Sequence, residues 1–217
     1  LMPLIDAFNH ASLPTKTEFE FSAAAFRLRS PTRVKENEEV FISYGALGND
    51  ELLVRYGFVA LDESAVEHDT YVYQGLAAWL DANHEPCRRA KGADGARTKQ
   101  IRDARLETYV SQGVFRGDGS ADANLEWALR CALATPEEWA KAGGTCDGFK
   151  LGGGAPEKRA REALAAACAA RLAAMETSVA EDEAALASGD VKDRARVAVQ
   201  YRLAKKRILS RAVQKYA

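Results

Sequence analysis

The chain is poor in the residues that would make it a metal, membrane or nucleic-acid protein. Among 217 residues there are four cysteines and three histidines. Cys87, Cys131, Cys146 and Cys168 are far apart, no Cys-x-x-Cys occurs, and none pairs closely with His68 or His84. Zinc ligands usually come as close pairs, so no metal site is expected. Scattered thiols fit a reducing, intracellular compartment. Charge of either sign is also missing in excess: 30 basic and 31 acidic residues leave a formal net charge of -1. No long-range field therefore draws the chain to nucleic acid or to an anionic membrane. No apolar run approaches the roughly 18 residues of a membrane span. Gly152-Gly153-Gly154 precedes a helix pattern without a strand before it, so it is a poor phosphate or cofactor cradle.

What remains is ordinary for a soluble protein, 47% hydrophobic and 28% charged, and long enough to bury most of its unfolded surface. Residues 1 to about 60 read as α/β. Phe19, Phe21 and Ala23 alternate with polar neighbours as in a half-buried strand, and Phe26 and Leu28 suggest a second that Pro31 ends. Lys35-Glu36-Asn37-Glu38 reads as a polar turn. Val40, Phe41 and Ile42 form a short apolar strand leading to Tyr44. Asn49 or Asp50 can N-cap a helix through Leu52, Leu53 and Val54.

The rest reads as mainly helical. Leu76, Ala77 and Leu80 suggest one helix, and Ile101, Arg105 and Tyr109 another. Leu125, Leu129 and Leu133 share a face. Residues 142–155 form a Gly-rich loop, and Pro156 sits at the start of an Ala-rich helix reaching about Ala174. Ser178 and Glu181 have capping-box spacing. Gly189 can end that helix and Asp190 can cap the next. The last helix carries Val197, Tyr201, Ala204 and Ile208 as its apolar stripe, with Arg202, Lys205, Lys206 and Arg207 off it.

Three clusters carry chemistry. An apolar, strand-like run from Pro3 leads to Asn9-His10. Tyr44 follows Phe41-Ile42-Ser43. Asn49-Asp50-Glu51-Leu52-Leu53 leads to Tyr56-Gly57-Phe58. In this order they resemble the second half of a SET domain, in the branch that includes the RuBisCO large-subunit lysine methyltransferase. A second stretch, from Thr177 through Gly189 and on through Arg194, Arg196 and Tyr201 to Leu209, resembles the helical substrate-binding domain of the same branch.

The resemblance implies an α+β chain. Residues 1–62 would be the C-terminal part of a SET domain, β-rich and knotted in that family, and residues 65–217 an α-helical substrate-binding domain. It implies an S-adenosylmethionine-dependent protein-lysine N-methyltransferase acting on a non-histone protein. Tyr44 takes the catalytic position. Asn9, His10 and Phe58 match cofactor contacts, and Asp6 and Tyr56 match substrate contacts. Phe21 stands where the RuBisCO enzyme has a substrate-site tyrosine, so a hydroxyl is missing there. The expected partner is a protein bearing the target lysine, in the chloroplast, cytoplasm or nucleus. Two alternatives stay open: a histidine acceptor within the same branch, and a non-catalytic binding platform. The family's Gly-containing first cofactor motif and first SET strands are expected upstream of Leu1, which would leave this chain inactive by itself.

Overall fold

The computed structural model describes residues 5–11, 17–30, 33–84 and 95–217. The chain is mixed helix and sheet, mostly helical, and divides into two compact units, Leu1–Asp69 and Thr70–Ala217.

In the first unit a 3-10 turn, Ile5–Ala7, replaces the expected strand-like run and leads into β1, Asn9–His10. β2 (Glu18–Phe21) and β3 (Phe26–Arg29) form an antiparallel hairpin with Phe21 opposite Phe26. Ala23 lies in its turn rather than in the strand, because Ser22 closes the hairpin early: its hydroxyl donates to the Ala25 carbonyl and accepts from the Ala25 N–H, both at 3.0 Å. The alternating phenylalanines do not mark a half-buried face. Phe19 is 41% and Phe21 78% exposed, and both rings pack on Phe26.

The expected polar turn is present, with Glu38 N–H donating to the Lys35 carbonyl and Asn37 at φ 64. The strand expected before Tyr44 is β4, Phe41–Ile42. It pairs in parallel with β1, Asn9 opposite Phe41 and His10 opposite Ile42. α1 spans Asn49–Tyr56. Gly48, not Asn49 or Asp50, is its N-cap, because the Asn49 side chain is used elsewhere.

The second unit contains a sheet that the helical reading missed. β5 (Thr70–Gln74) and β6 (Gln112–Arg116) pair antiparallel, far apart in sequence. α2 is Leu76–Asn83. The single helix expected through Ile101 and Tyr109 is two, α3 (Gly95–Asp103) and α4 (Glu107–Ser111), broken where Arg105 takes φ 56. A non-glycine residue in the left-handed region ends a helix. α5 is Ala123–Ala132, and Leu125, Leu129 and Leu133 are all buried as its spacing predicts. α6, Pro136–Lys141, starts on a capping box of Thr135 and Glu138.

The Gly-rich stretch is only partly loop. Cys146–Phe149 forms a 3-10 turn, and α7 runs Gly154–Ala173 with Pro156 in its first turn. α8 (Val179–Ser188) has both bonds of the Ser178–Glu181 capping box and ends on Gly189 at φ 74. α9 is Asp193–Tyr216, and Lys192 rather than Asp190 is its N-cap.

The core joins Leu76 and Leu80 to Phe115, Leu125, Leu129, Leu164, Ile208 and Leu209. Ala160, Ala163 and Ala167 are buried on α7, and small side chains there let α9 approach closely. The turn before Ser120 also abuts α9: a Cβ on Gly119 would lie 2.5 Å from the Ala212 nitrogen. The Tyr216 hydroxyl accepts from the Ala121 N–H at 2.8 Å and donates to Glu126.

Two polar assemblies stand inside this unit. Lys205 and Lys206 are buried, contrary to the expected polar face of the last helix. Lys206 Nζ donates to Asp182 Oδ2 and Thr177 Oγ1, both at 2.7 Å, and to the Thr177 carbonyl. Arg202 binds Asp182 from the other side. Lys205 Nζ donates to the Thr70 carbonyl at 2.7 Å. Long cationic stems bury readily when the head is satisfied.

The second assembly surrounds the Cys146 turn. Cys131 and Cys146 form a disulfide, with Cα atoms 5.5 Å apart. The reading of four scattered thiols fails for this pair, because the chain doubles back through α6 and returns to α5. Trp127 Nε1 donates to the Cys146 carbonyl at 2.7 Å, and Arg130 donates to the Phe149 and Lys150 carbonyls and to Glu157. Cys168 is free and buried, and burial pushes its thiol up to about 12. Cys87 lies outside the described residues, as does Pro31.

Asp182 carries the stability prediction. Burial raises its carboxyl, but hydrogen bonds from Arg202, Lys206 and Thr177 outweigh this and hold it at about 2. A depressed carboxyl stabilises the fold above its ordinary value of 3.8 and loses that contribution as pH falls through about 2. Asp182→Ala should cost about 3–5 kcal/mol in denaturant unfolding, since Lys206 is left buried and unpaired. Adding Lys206→Met should return most of it. An Asp182→Ala chain as stable as the parent would refute the clamp.

Candidate active site

The parallel pairing of β1 and β4 sets the site. It places His10 beside Ile42, and Tyr44 follows two residues on. The Tyr44 N–H donates to His10 Nδ1 at 3.1 Å, and the Tyr44 hydroxyl donates to the Phe8 carbonyl at 2.8 Å. The rings of His10 and Tyr44 are 5.1 Å apart.

α1 delivers the other two rings. Gly57 caps it in the left-handed region, φ 79, and its N–H donates to the Leu52 and Leu53 carbonyls. That turn brings both flanking aromatics to Tyr44. The Tyr56 ring lies 4.5 Å and the Phe58 ring 6.4 Å from it, and Phe58 is 5.8 Å from His10. Tyr44, His10 and Phe58 are half-buried, while Tyr56 is 48% exposed. The result is an aromatic wall whose Tyr56 ring is exposed. Such a wall attracts a cation.

Of the seven residues expected at the site, the fold gathers His10, Tyr44, Tyr56 and Phe58. Asn9 is next to them in β1, but its side chain is exposed and its Nδ2 donates to Glu39 at 2.6 Å. Asp6 is exposed in the 3-10 turn before β1. Phe21 stands at the end of the hairpin, and its ring contacts Phe26 rather than the four-ring group.

Burial lowers the His10 pKa below its ordinary 6.5, more than the Asp62 charge and the Ile42 carbonyl raise it. His10 is thus neutral at physiological pH, as an acceptor nitrogen requires.

Asn49 is the supporting residue that sequence reasoning placed wrongly. It is 2% exposed. Its Nδ2 donates to Asp69 Oδ2 at 2.8 Å and to the Ala60 carbonyl at 3.0 Å. Its Oδ1 accepts from the Ala60 N–H at 2.9 Å. Together these bonds tie the start of α1 to the segment just beyond Phe58. The available signal was the side chain itself: an asparagine both donates and accepts, so it can bridge two segments as well as cap a helix.

Residues 103–209 match the family described as Rubisco LSMT substrate-binding. Over the whole chain the fold is similar to solved structures of Rubisco LSMT. The one bound to AdoMet has 21% identity and a TM-score of 0.66, and the one bound to sinefungin and monomethyllysine 21% and 0.62. A structure described as the SET domain of LSMT bound to lysine and AdoHcy also gives 21% and 0.62. Each match covers 100% of this chain and 49% of the other, so the chain spans about half the length of those proteins. At that identity the likeness establishes the fold. No curated protein sequence matched the chain.

Asn49→Ala should destabilise the first unit by about 1–3 kcal/mol, because the Ala60 N–H and the Asp69 carboxylate lose buried partners. Hydrogen exchange at Ala60 and at the α1 amides should report it. Unchanged protection would show that the bridge carries no stability.

Proposed function

We propose that the chain is part of an S-adenosylmethionine-dependent protein-lysine N-methyltransferase acting on a non-histone protein. In this reading residues 1–62 are the C-terminal part of its SET domain, and residues 65–217 recruit the protein substrate. The observation that carries it is the Tyr44 site: a phenol held by its hydroxyl and its backbone, packed against the rings of His10, Phe58 and the exposed Tyr56. The Rubisco LSMT substrate-binding match supports the recruiting role.

The residues present fit one side of such a cofactor site. Tyr56 and Phe58 offer aromatic faces to a sulfonium, and the Asn9 amide offers a donor and an acceptor to an adenine edge. His10 lies beside them. S-Adenosylmethionine, when bound, supplies a methyl group activated for in-line displacement by an amine.

The role of Tyr44 follows from its hydrogen bond. Its O–H is committed to the Phe8 carbonyl, so its oxygen turns lone pairs toward whatever enters. It therefore accepts from the incoming amine and aligns it, and it neither gives nor takes the proton. Positioning of this kind supplies much of the rate in such a displacement. Tyr56, next to Tyr44, lines the approach of the lysine. Asp6 and Phe21, both exposed, contribute to the protein-substrate side.

Full-length protein incubated with labelled S-adenosylmethionine and a cell lysate should label a lysine of a non-histone protein. Mapping the label to another residue type, or finding none, would count against the assignment. Tyr44→Phe should fold normally, bind the cofactor as before and lose about 10²-fold in turnover, the scale of one preorganised polar group at a reacting centre. Near-normal turnover would remove Tyr44 from the catalytic role.

A further inference from the structure

Tyr44 is gripped twice by the same short segment, at its hydroxyl by the Phe8 carbonyl and at its backbone by the His10 imidazole. A cofactor contact alone does not call for the second grip. We propose that His10 is the positioning residue of Tyr44. Its Nδ1 anchors the Tyr44 backbone, which keeps the hydroxyl on Phe8 and its lone pairs toward the acceptor amine. The reaction it serves rests on the methyltransferase reading, whereas the pairing itself rests on the geometry.

The anchor works only with a neutral imidazole that carries no hydrogen on Nδ1, since an imidazolium has two donors and no acceptor. Protonation would set two N–H groups against each other and release the Tyr44 backbone. The ring packs against both the Tyr44 phenol and the Phe58 ring, which also touch each other. The Asp62 carboxylate and the Ile42 carbonyl face it and favour the cation, and burial opposes them and prevails. The side chain that resembles a cofactor contact would thereby act on catalysis through Tyr44.

The test separates acceptor from bulk. Leucine at this position fills space without an acceptor, and asparagine offers Oδ1 at about the place of Nδ1. In full-length protein, His10→Leu should lower kcat about 10²-fold, the cost of a misplaced reacting group, and weaken calorimetric binding of S-adenosylmethionine far less than that. His10→Asn should recover most of that loss. Both profiles fall on the acid side as the acceptor amine protonates, but the wild-type kcat should show a further loss as His10 protonates, below its ordinary 6.5. The His10→Asn profile should lack that further loss. The proposal is overturned if both variants fold and are equally slow, or if His10→Leu weakens cofactor binding as much as it slows turnover. If His10→Leu does not fold, hydrogen exchange of the wild-type Tyr44 amide decides. That amide should be protected at neutral pH and lose protection as His10 titrates, and exchange indifferent to His10 protonation overturns the pairing. If the protein transfers no methyl group at all, the functional reading fails, and the amide measurement still decides the pairing.

Discussion

Two residues of parallel strand govern the candidate site. Asn9–His10 lies against Phe41–Ile42, and nearly everything at the site is measured from that register. Side chains alternate along a strand, so a slip of one residue would turn His10 to the opposite face. The imidazole would then lose the Tyr44 N–H, and the hydroxyl would lose its place on Phe8. The pairing is too short to be stable by itself. It is supported by Ala11 N–H donating to the Ile42 carbonyl, and by Thr17 donating its hydroxyl to the Phe41 carbonyl. The β2–β3 hairpin occupies the connection between the two strands.

The second unit solves a different problem. Its α7 is made largely of alanine, which packs closely but buries little area per residue. Around that lean core the fold adds satisfied polar clamps. Asp182, Lys206 and Arg202 hold α8 to α9, and Arg130, Trp127 and the Cys131–Cys146 disulfide hold the 3-10 turn to α5. A buried ion pair is no sure source of net stability, but losing one member is costly. Such clamps make the helix arrangement specific. That suits a unit whose proposed task is to present a fixed surface to a protein substrate.

Much of this was legible along the chain. The Leu125, Leu129 and Leu133 stripe, the Ser178–Glu181 box and the Gly189 stop are local rules, and each is present in the fold. Other readings failed where a distant partner outweighed a local preference. Asn49 gave up a capping role for Ala60 and Asp69. Lys205 and Lys206 read as a solvated face, yet Thr70 and Asp182 draw them inside. β5 and β6 escaped notice because each is five residues long and its partner is far off in sequence. Phe19 and Phe21 showed the period of a strand but not the burial, because period reports the pleat and not what covers it.

By itself the sequence determined the mixed α and β class, the Ser178–Glu181 capping box and the Gly189 stop, and the aromatic identities of His10, Tyr44, Tyr56 and Phe58. Those features depend on neighbours three or four residues away. Tertiary structure alone decided that the four rings meet, that Tyr44 is held at both its hydroxyl and its backbone, and that two of the four cysteines bond. Each of those depends on residues more than ten positions apart. The physical reason is that a side chain's local preference amounts to a fraction of a kcal/mol, whereas a buried donor, acceptor or charge left without its partner costs about 1–3 kcal/mol or more.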